Sequence, residues 1–299
     1  MTTTPIHAEL RRISRLLPRN PINARTVPLV RAATRLLALV PDRGVETVRL
    51  PSGASVRVHR PPTAPTAQHP APAMVWIHGG GYLFGTARQD DALCARFART
   101  LGITVAAVDY RLAPEHPFPA PVDDCLTALR WLADQPTVNS DALAIGGASA
   151  GGGLAAALAQ RVHDEGEFTP ALQLLVYPML DDRTPTPDAD SARGHRLWSG
   201  ASNTYGWSSY LGDTDRDRAV PARRADLAGL PPAWIGVGTN DLFHDEDLAY
   251  ARRLTEAGVA CETVVVPGAF HAFDKAAPGA TVTRDFFDAQ CAALRGALA

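Results

Sequence analysis

Past Gly44 the chain first alternates apolar and polar positions, in "VETVRL" (45–50) and "SVRVHR" (55–60), two period-two strands joined by the turn "PSGA". Short, nearly continuous apolar runs then follow: "AMVWIH" (73–78), "ITVAAVDY" (103–110), "ALAIGG" (142–147), "ALQLLVYP" (171–178), "AWIGVG" (233–238) and "ETVVVP" (262–267). Runs of that kind suit strands covered on both faces. Helical patterns separate them. In "PVDDCLTALRWLADQ" (121–135), for example, Val122, Cys125, Leu126, Leu129 and Leu132 share one face. With the opening hairpin, the alternation predicts an α/β fold: a mostly parallel, eight-stranded sheet flanked by helices, with function on loops at the carboxyl ends of the strands.

Two stretches depart from this rhythm. Before Gly44, Leu10, Ile13, Leu16 and Leu17, then Val30, Ala33, Leu36, Leu37 and Val40, form two apolar helical faces that have to be packed. The segment from Asp181 to Asp226 is rich in Ser, Gly, Asp and Arg, carries Trp198, Tyr205, Trp207 and Tyr210, and is too long for a plain loop. The expected organisation is therefore a core of 44–180 and 227–299, with a helical cap assembled from 1–43 and 181–226.

Composition narrows the function classes. A net charge of −2 gives no bulk attraction to nucleic acid or to an acidic membrane, and no run of about 18 apolar residues offers a membrane span. Cys94, Cys125, Cys261 and Cys291 have no metal or redox spacing and read as free thiols in a reducing, cytoplasmic setting. The N-terminal arginines Arg11, Arg12, Arg15, Arg19, Arg25, Arg31 and Arg35 are also what a mitochondrial transit peptide would show. One lysine, Lys275, beside 28 arginines reads as composition and not as a recognition device.

Two glycine clusters carry the chemistry. "HGGG" (78–81) follows the third strand, and three bare residues there let a phosphate or an oxyanion approach backbone N–H groups. "GGASAGGG" (146–153) links the fifth strand to an apolar helix and contains G-x-S-x-G, the pattern of a sharp turn that lifts Ser149 above the sheet. No lysine supports a phosphate loop, and no acid ends the next strand as a dinucleotide site requires. A serine nucleophile needs a base and an orienting acid. His271, after the last strand, is better placed as base than His163, His195 or His244. The acid is Asp241, past the seventh strand, or else Asp181 or Asp182 after the sixth. With such a serine, "HGGG" becomes an oxyanion hole formed by Gly79, Gly80 and the N–H of Ala150, with His78 bracing the loop. "DTDRD" (213–217) opens like a calcium loop, but Arg218 and Arg224 stand where glycine and glutamate are needed.

"HGGGYLFGT", "DYRLAPEHPFPAPVDD", "GASAGGG", "TNDLFHDEDLAYARRL" and "PGAFHAF", in that order, resemble the motif set of the bacterial hormone-sensitive-lipase-like carboxylesterases of the α/β-hydrolase fold. The resemblance implies short-chain carboxylesterase activity, with Ser149, Asp241 and His271 as triad and Gly79, Gly80 and Ala150 as oxyanion hole. It implies buried, structural ion pairs for Asp109, Arg111, Glu115 and His116, bracing the oxyanion loop, and makes Ala113–Pro114 and Phe118–Pro119 candidates for cis bonds. No cofactor and no metal are implied. The partner is a small-molecule ester, a homodimer staying open, and Tyr82, Trp198, Trp207 and Tyr210 are candidates for the substrate pocket. A deacetylase or amidase would use the same machinery, and a relative lacking a triad member would be a binding protein. Ala148 and Ala272 depart from the Asp and Gly usual at those positions in the family, and Asp241-Leu242-Phe243 departs from its D-P-L.

Overall fold

The computed structural model describes residues 4–19, 22–38, 44–185 and 194–299. Eight strands form one sheet in the order β1-β2-β4-β3-β5-β6-β7-β8. They are β1 (Glu46–Arg49), β2 (Ser55–His59), β3 (Ala71–Ile77), β4 (Thr104–Asp109), β5 (Val138–Ala148), β6 (Leu172–Val176), β7 (Ala233–Asn240) and β8 (Cys261–Phe270). β1 and β2 form the expected hairpin, β2 pairs antiparallel with β4, and every other pair is parallel. The helices are α1 (Arg11–Ser14), α2 (Val27–Ala38), α3 (Asp91–Leu101), α4 (Ala120–Ala133), α5 (Ala150–Glu165), α6 (Gly200–Leu211), α7 (Arg216–Ala219), α8 (His244–Glu256), α9 (Phe273–Ala276) and α10 (Thr281–Ala297).

The apolar runs follow from double coverage. On β3, Val75 and Ile77 pack into the cluster that holds Leu126 and Leu129 of α4, Leu154 and Leu158 of α5 and Leu254 of α8. The alternate residues Met74 and Trp76 pack on the other face with Phe97 of α3 and Phe286 and Leu294 of α10. A strand buried on both sides cannot alternate apolar with polar, so its pattern is a continuous run. The predicted stripe of α4 is wholly buried.

The N-terminal segment departs from expectation. Its first helix is a single 3-10 turn, Ala8–Leu10, continued by the one-turn α1, and Leu10 alone of its apolar face is fully buried; Leu16 is 81% exposed. Pro18 lies just beyond, and proline cannot extend a helix. Backbone bonds attach the segment instead. His7 N–H donates to Gly268 O (3.0 Å), Leu197 N–H to Pro18 O (2.9 Å) and Ser202 Oγ to Ile22 O (2.9 Å). On α2, Arg31 donates to Leu83 O and to Glu115, both at 2.6 Å. Val40 and the side chains of Leu36 and Leu37 lie outside the described residues.

Both candidate bonds, Ala113–Pro114 and Phe118–Pro119, are cis. The ion pairs around them are less buried than expected: Arg111 grips the fully buried Asp124 through two side-chain bonds of 2.9 Å, while Glu115 and His116 are exposed. No helix among the described residues is long and apolar enough to cross a membrane.

Candidate active site

Ser149 ends the turn between β5 and α5 with φ 58° and ψ −123°, a left-handed backbone that only a well-braced chain holds in a residue with a side chain. Three bonds fix it. Its N–H donates to Val176 O (2.9 Å), and its carbonyl accepts from Gly153 N–H and Met179 N–H, each at 3.0 Å. Gly151 is required by close approach, since a Cβ there would stand 2.1 Å from Ile77 O. The turn therefore presses directly against the end of β3, where the "HGGG" loop begins.

On that loop Gly80 has φ +134°, and a Cβ on it would lie 1.9 Å from Phe84 O. Its carbonyl accepts from Leu83 and Phe84 N–H, which turns the chain back on itself. No hydrogen bond occupies the N–H groups of Gly79, Gly80 or Ala150 among the described residues, and Ala150 is the first residue of α5, where a helix leaves its N–H groups free. His78 is stacked on Tyr110 (4.3 Å, 15°), and its Nδ1 donates to Gly79 O (2.8 Å). Burial, the largest effect on this imidazole, holds it below the ordinary histidine range, which favours the neutral form.

His271 follows β8 and brings two other elements together. Its Nε2 lies 2.9 Å from Ser149 Oγ and its Nδ1 2.8 Å from Asp241 Oδ2. Asp241 Oδ1 accepts from Phe243 N–H (3.1 Å), and the Asp241 side chain is fully buried. Tyr177 and Phe243 meet the imidazole edge-on at 5.0 and 5.2 Å, fixing its plane. The other candidate acids are held elsewhere: Asp181 pairs with Arg183 (2.8 Å), and Asp182 with Arg223 (2.7 Å) and Arg216 (2.6 Å). Of the other candidate bases, His244 pairs with its neighbour Asp245, and His195 is held below its ordinary range by burial.

A cavity of about 400 Å³ opens over Ser149, with Ile22, Phe84, Tyr177, Leu197 and Trp198 as apolar wall and Gln89 and Lys275 as polar side chains. Of the four aromatic pocket candidates only Trp198 lines it. Tyr82, Trp207 and Tyr210 are a layer behind: Tyr82 stacks on Tyr210 (4.0 Å) and meets Trp207 at 5.3 Å, all three buried. They form the packing between α6 and the glycine loop, because a two-sided aromatic layer spends one side on core. Ile22 and Leu197 carried no sequence signal. Lys275 carried none either, since Ala272, at φ 56°, separates His271 from the short helix α9 that holds the lysine. Among the described residues no cluster of three His, Cys, Asp or Glu side chains could hold a metal ion.

Comparison with known proteins bears on the same residues. A family model described as the alpha/beta hydrolase fold matches residues 74–275. The ethyl acetate hydrolase of Pseudomonas putida is 35% identical over 232 residues, 73% of this chain and 70% of that one. The chain belongs to the hormone-sensitive-lipase-like carboxylesterase family of α/β-hydrolases. Solved structures of the family superpose over nearly their whole length. A bacterial heroin esterase matches with a TM-score of 0.86 at 33% identity, covering 98% of each chain, and esterase LipW from Mycobacterium marinum with 0.85 at 34%, covering 99% of each. The family's usual glycine after the histidine is here Ala272, which sits at φ 56°. The departure thus falls on a backbone position where glycine costs nothing and alanine is strained.

Proposed function

We propose that this family member hydrolyses short-chain carboxylic esters through a covalent acyl-enzyme. The observation that carries the reading is the unbroken line Asp241–His271–Ser149, with distances of 2.8 and 2.9 Å, at the floor of an apolar cavity beside three free backbone N–H groups. Ser149 Oγ attacks the ester carbonyl while His271 Nε2 takes its proton; Asp241 holds the tautomer and stabilises the imidazolium. Charge forming on the carbonyl oxygen is met by the N–H groups of Gly79, Gly80 and Ala150. His271 then gives its proton to the leaving alkoxide, and water, activated by the same imidazole, releases the acid and restores Ser149.

Residues 1–43 and 181–226 act in this reading as a cap over a core of 44–180 and 227–299. Ile22, Leu197 and Trp198 support it, because cap residues supply that much of the cavity wall. Each CH₂ of the acyl chain gains up to about 0.8 kcal/mol until it meets the wall, which favours chains of roughly two to six carbons and disfavours those above about ten. All four cysteines are free thiols, consistent with residence in the cytoplasm. Hydrolysis of p-nitrophenyl esters from acetate to laurate tests the reading. A short-chain optimum that disappears in Ser149→Ala is expected; turnover that survives the substitution refutes the mechanism.

A further inference from the structure

We propose that Lys275 and Gln89 form a hydroxyl-binding subsite beside Ser149, so that the preferred ester carries a free hydroxyl, an acylated polyol being the simplest class. The inference rests on the esterase reading above and names the substrate that site selects. Lys275 Nζ donates to Asp90 Oδ1 at 2.6 Å, and the other oxygen of Asp90 accepts from Trp76 Nε1 at 2.9 Å. The carboxylate is buried, at 1% exposure, while the lysine side chain is 34% exposed and lines the cavity over Ser149. An ammonium has three donors, and among the described residues one of them is used. Gln89 complements it. Its Nε2 donates to Gly79 O at 3.2 Å, which fixes the amide, and its Oε1 has no partner among the described residues. A donor and an acceptor thus stand together on one wall.

Space continues beyond them. A second cavity of about 290 Å³, reaching Leu93 and Phe286, shares both Gln89 and Lys275 with the first. The pair therefore borders both cavities and faces a substrate group that extends from Ser149 along that wall. Charge decides what it binds. Asp90 already balances the ammonium, and in the second cavity Arg96 stands with Asp274, so the wall offers no net positive charge to hold a carboxylate on the substrate. A hydroxyl adds no charge, accepts from one of the two unused Nζ donors and donates to Oε1, and so engages both side chains. Apolar substrates would leave these groups without a partner once water is displaced, a penalty that discriminates against them.

The test compares kcat/KM for 1-butyrylglycerol and propyl butyrate, esters of equal length that differ in two hydroxyl groups, with the full chain. The wild type is expected to favour the glycerol ester by about tenfold, as a hydrogen bond to a charged donor implies. Lys275→Met and Gln89→Met should each bring that ratio close to one. A purely structural Lys275–Asp90 pair would lower both rates together and leave the ratio alone, which overturns the subsite. If Lys275→Met fails to fold, the wild-type ratio and Gln89→Met decide. Hydrolysis of p-nitrophenyl butyrate separates the two levels: turnover of it with a wild-type ratio near one overturns the subsite only, and no turnover of any ester overturns the esterase reading and the subsite with it.

Discussion

Among the described residues five other than glycine have positive φ, and four of them, Ser149, Tyr177, Leu197 and Ala272, line the cavity over Ser149. Strain gathered at one place is the mark of a site whose geometry the rest of the molecule enforces. At Ala272 the strained residue packs a single half-buried methyl against the core cluster of α3 and α10, a contact small enough that Ala272→Gly should still stabilise the fold. Relief of about 1–2 kcal/mol of left-handed strain, set against about 0.5–1 kcal/mol of added freedom in the unfolded chain, leaves a gain of about 0.5 kcal/mol, measurable by denaturant titration. The acids separate at the same scale. Asp241→Asn should lower kcat by about 10⁴, by presenting the wrong hydrogen-bonding partner to His271 Nδ1. Asp182→Asn should cost less than about tenfold in kcat and appear as lost stability instead. Burial pushes the Asp182 carboxyl up, yet the bonds from Arg223 and Arg216 outweigh it and hold it below the usual range, so the pair is structural. Steady-state rates of the two variants, beside their melting curves, check the assignment.

At the scale of elements, strands and turns were legible because their local chemistry matches their environment. The runs that became β3 to β8 are apolar on both faces, and Gly147, Ser149 and Gly151 are spaced for the turn they make. At the N-terminus the second apolar face is the helix α2, whereas the first, Leu10 to Leu17, is helical only as far as Ser14, because Pro18 leaves no room for a further turn. Tyr82 of the glycine loop and Trp207 and Tyr210 of α6 stand a layer behind the cavity, because a sequence pattern shows which aromatics are buried but not which side of the layer meets the cavity. One helix makes a pH prediction. Glu246 of α8 accepts from Leu180 N–H (2.7 Å), Asp181 N–H (3.2 Å) and Thr184 Oγ1, tying the helix to the loop after β6. Burial overrides those bonds and raises its pKa to about 8. Asp247 beside it, whose carboxyl oxygens are buried with no hydrogen-bond partner among the described residues, is shifted the same way by burial. A raised carboxyl binds its proton in the folded state after the unfolded chain has released it. Stability therefore falls as pH rises from about 4.5 to about 8, by up to about 1.4 kcal/mol per pH unit for Glu246, and levels off above that. Glu246→Gln reproduces the protonated form, so its melting temperature should gain on the wild type across this window; parallel curves would show that Glu246 is ionised when buried.

For the whole molecule, the sheet positions Ser149, and in the proposed reading the two added segments shape what reaches it. Ile22 is far in the chain from Leu197 and Trp198, yet the three stand in one wall, joined by the bonds from Leu197 N–H to Pro18 O and from Ser202 Oγ to Ile22 O. Removal of residues 1–40 takes away Ile22 and the anchor at Leu10. It should lower activity and flatten the dependence on acyl length while leaving Ser149 reactive toward a small organophosphate; an unchanged length profile would show that the segment does not bound the pocket. The central claim, that Ser149 carries the acyl group between two half-reactions, is tested most directly by trapping that intermediate. The enzyme is mixed with p-nitrophenyl butyrate, quenched in acid within the first turnover, and digested for mass spectrometry. The account predicts one butyryl group on the peptide containing Ser149, absent in Ser149→Ala and accumulating in step with a burst of p-nitrophenol. Hydrolysis with no acylated Ser149 at any quench time, or a butyryl group carried by another residue, would contradict it.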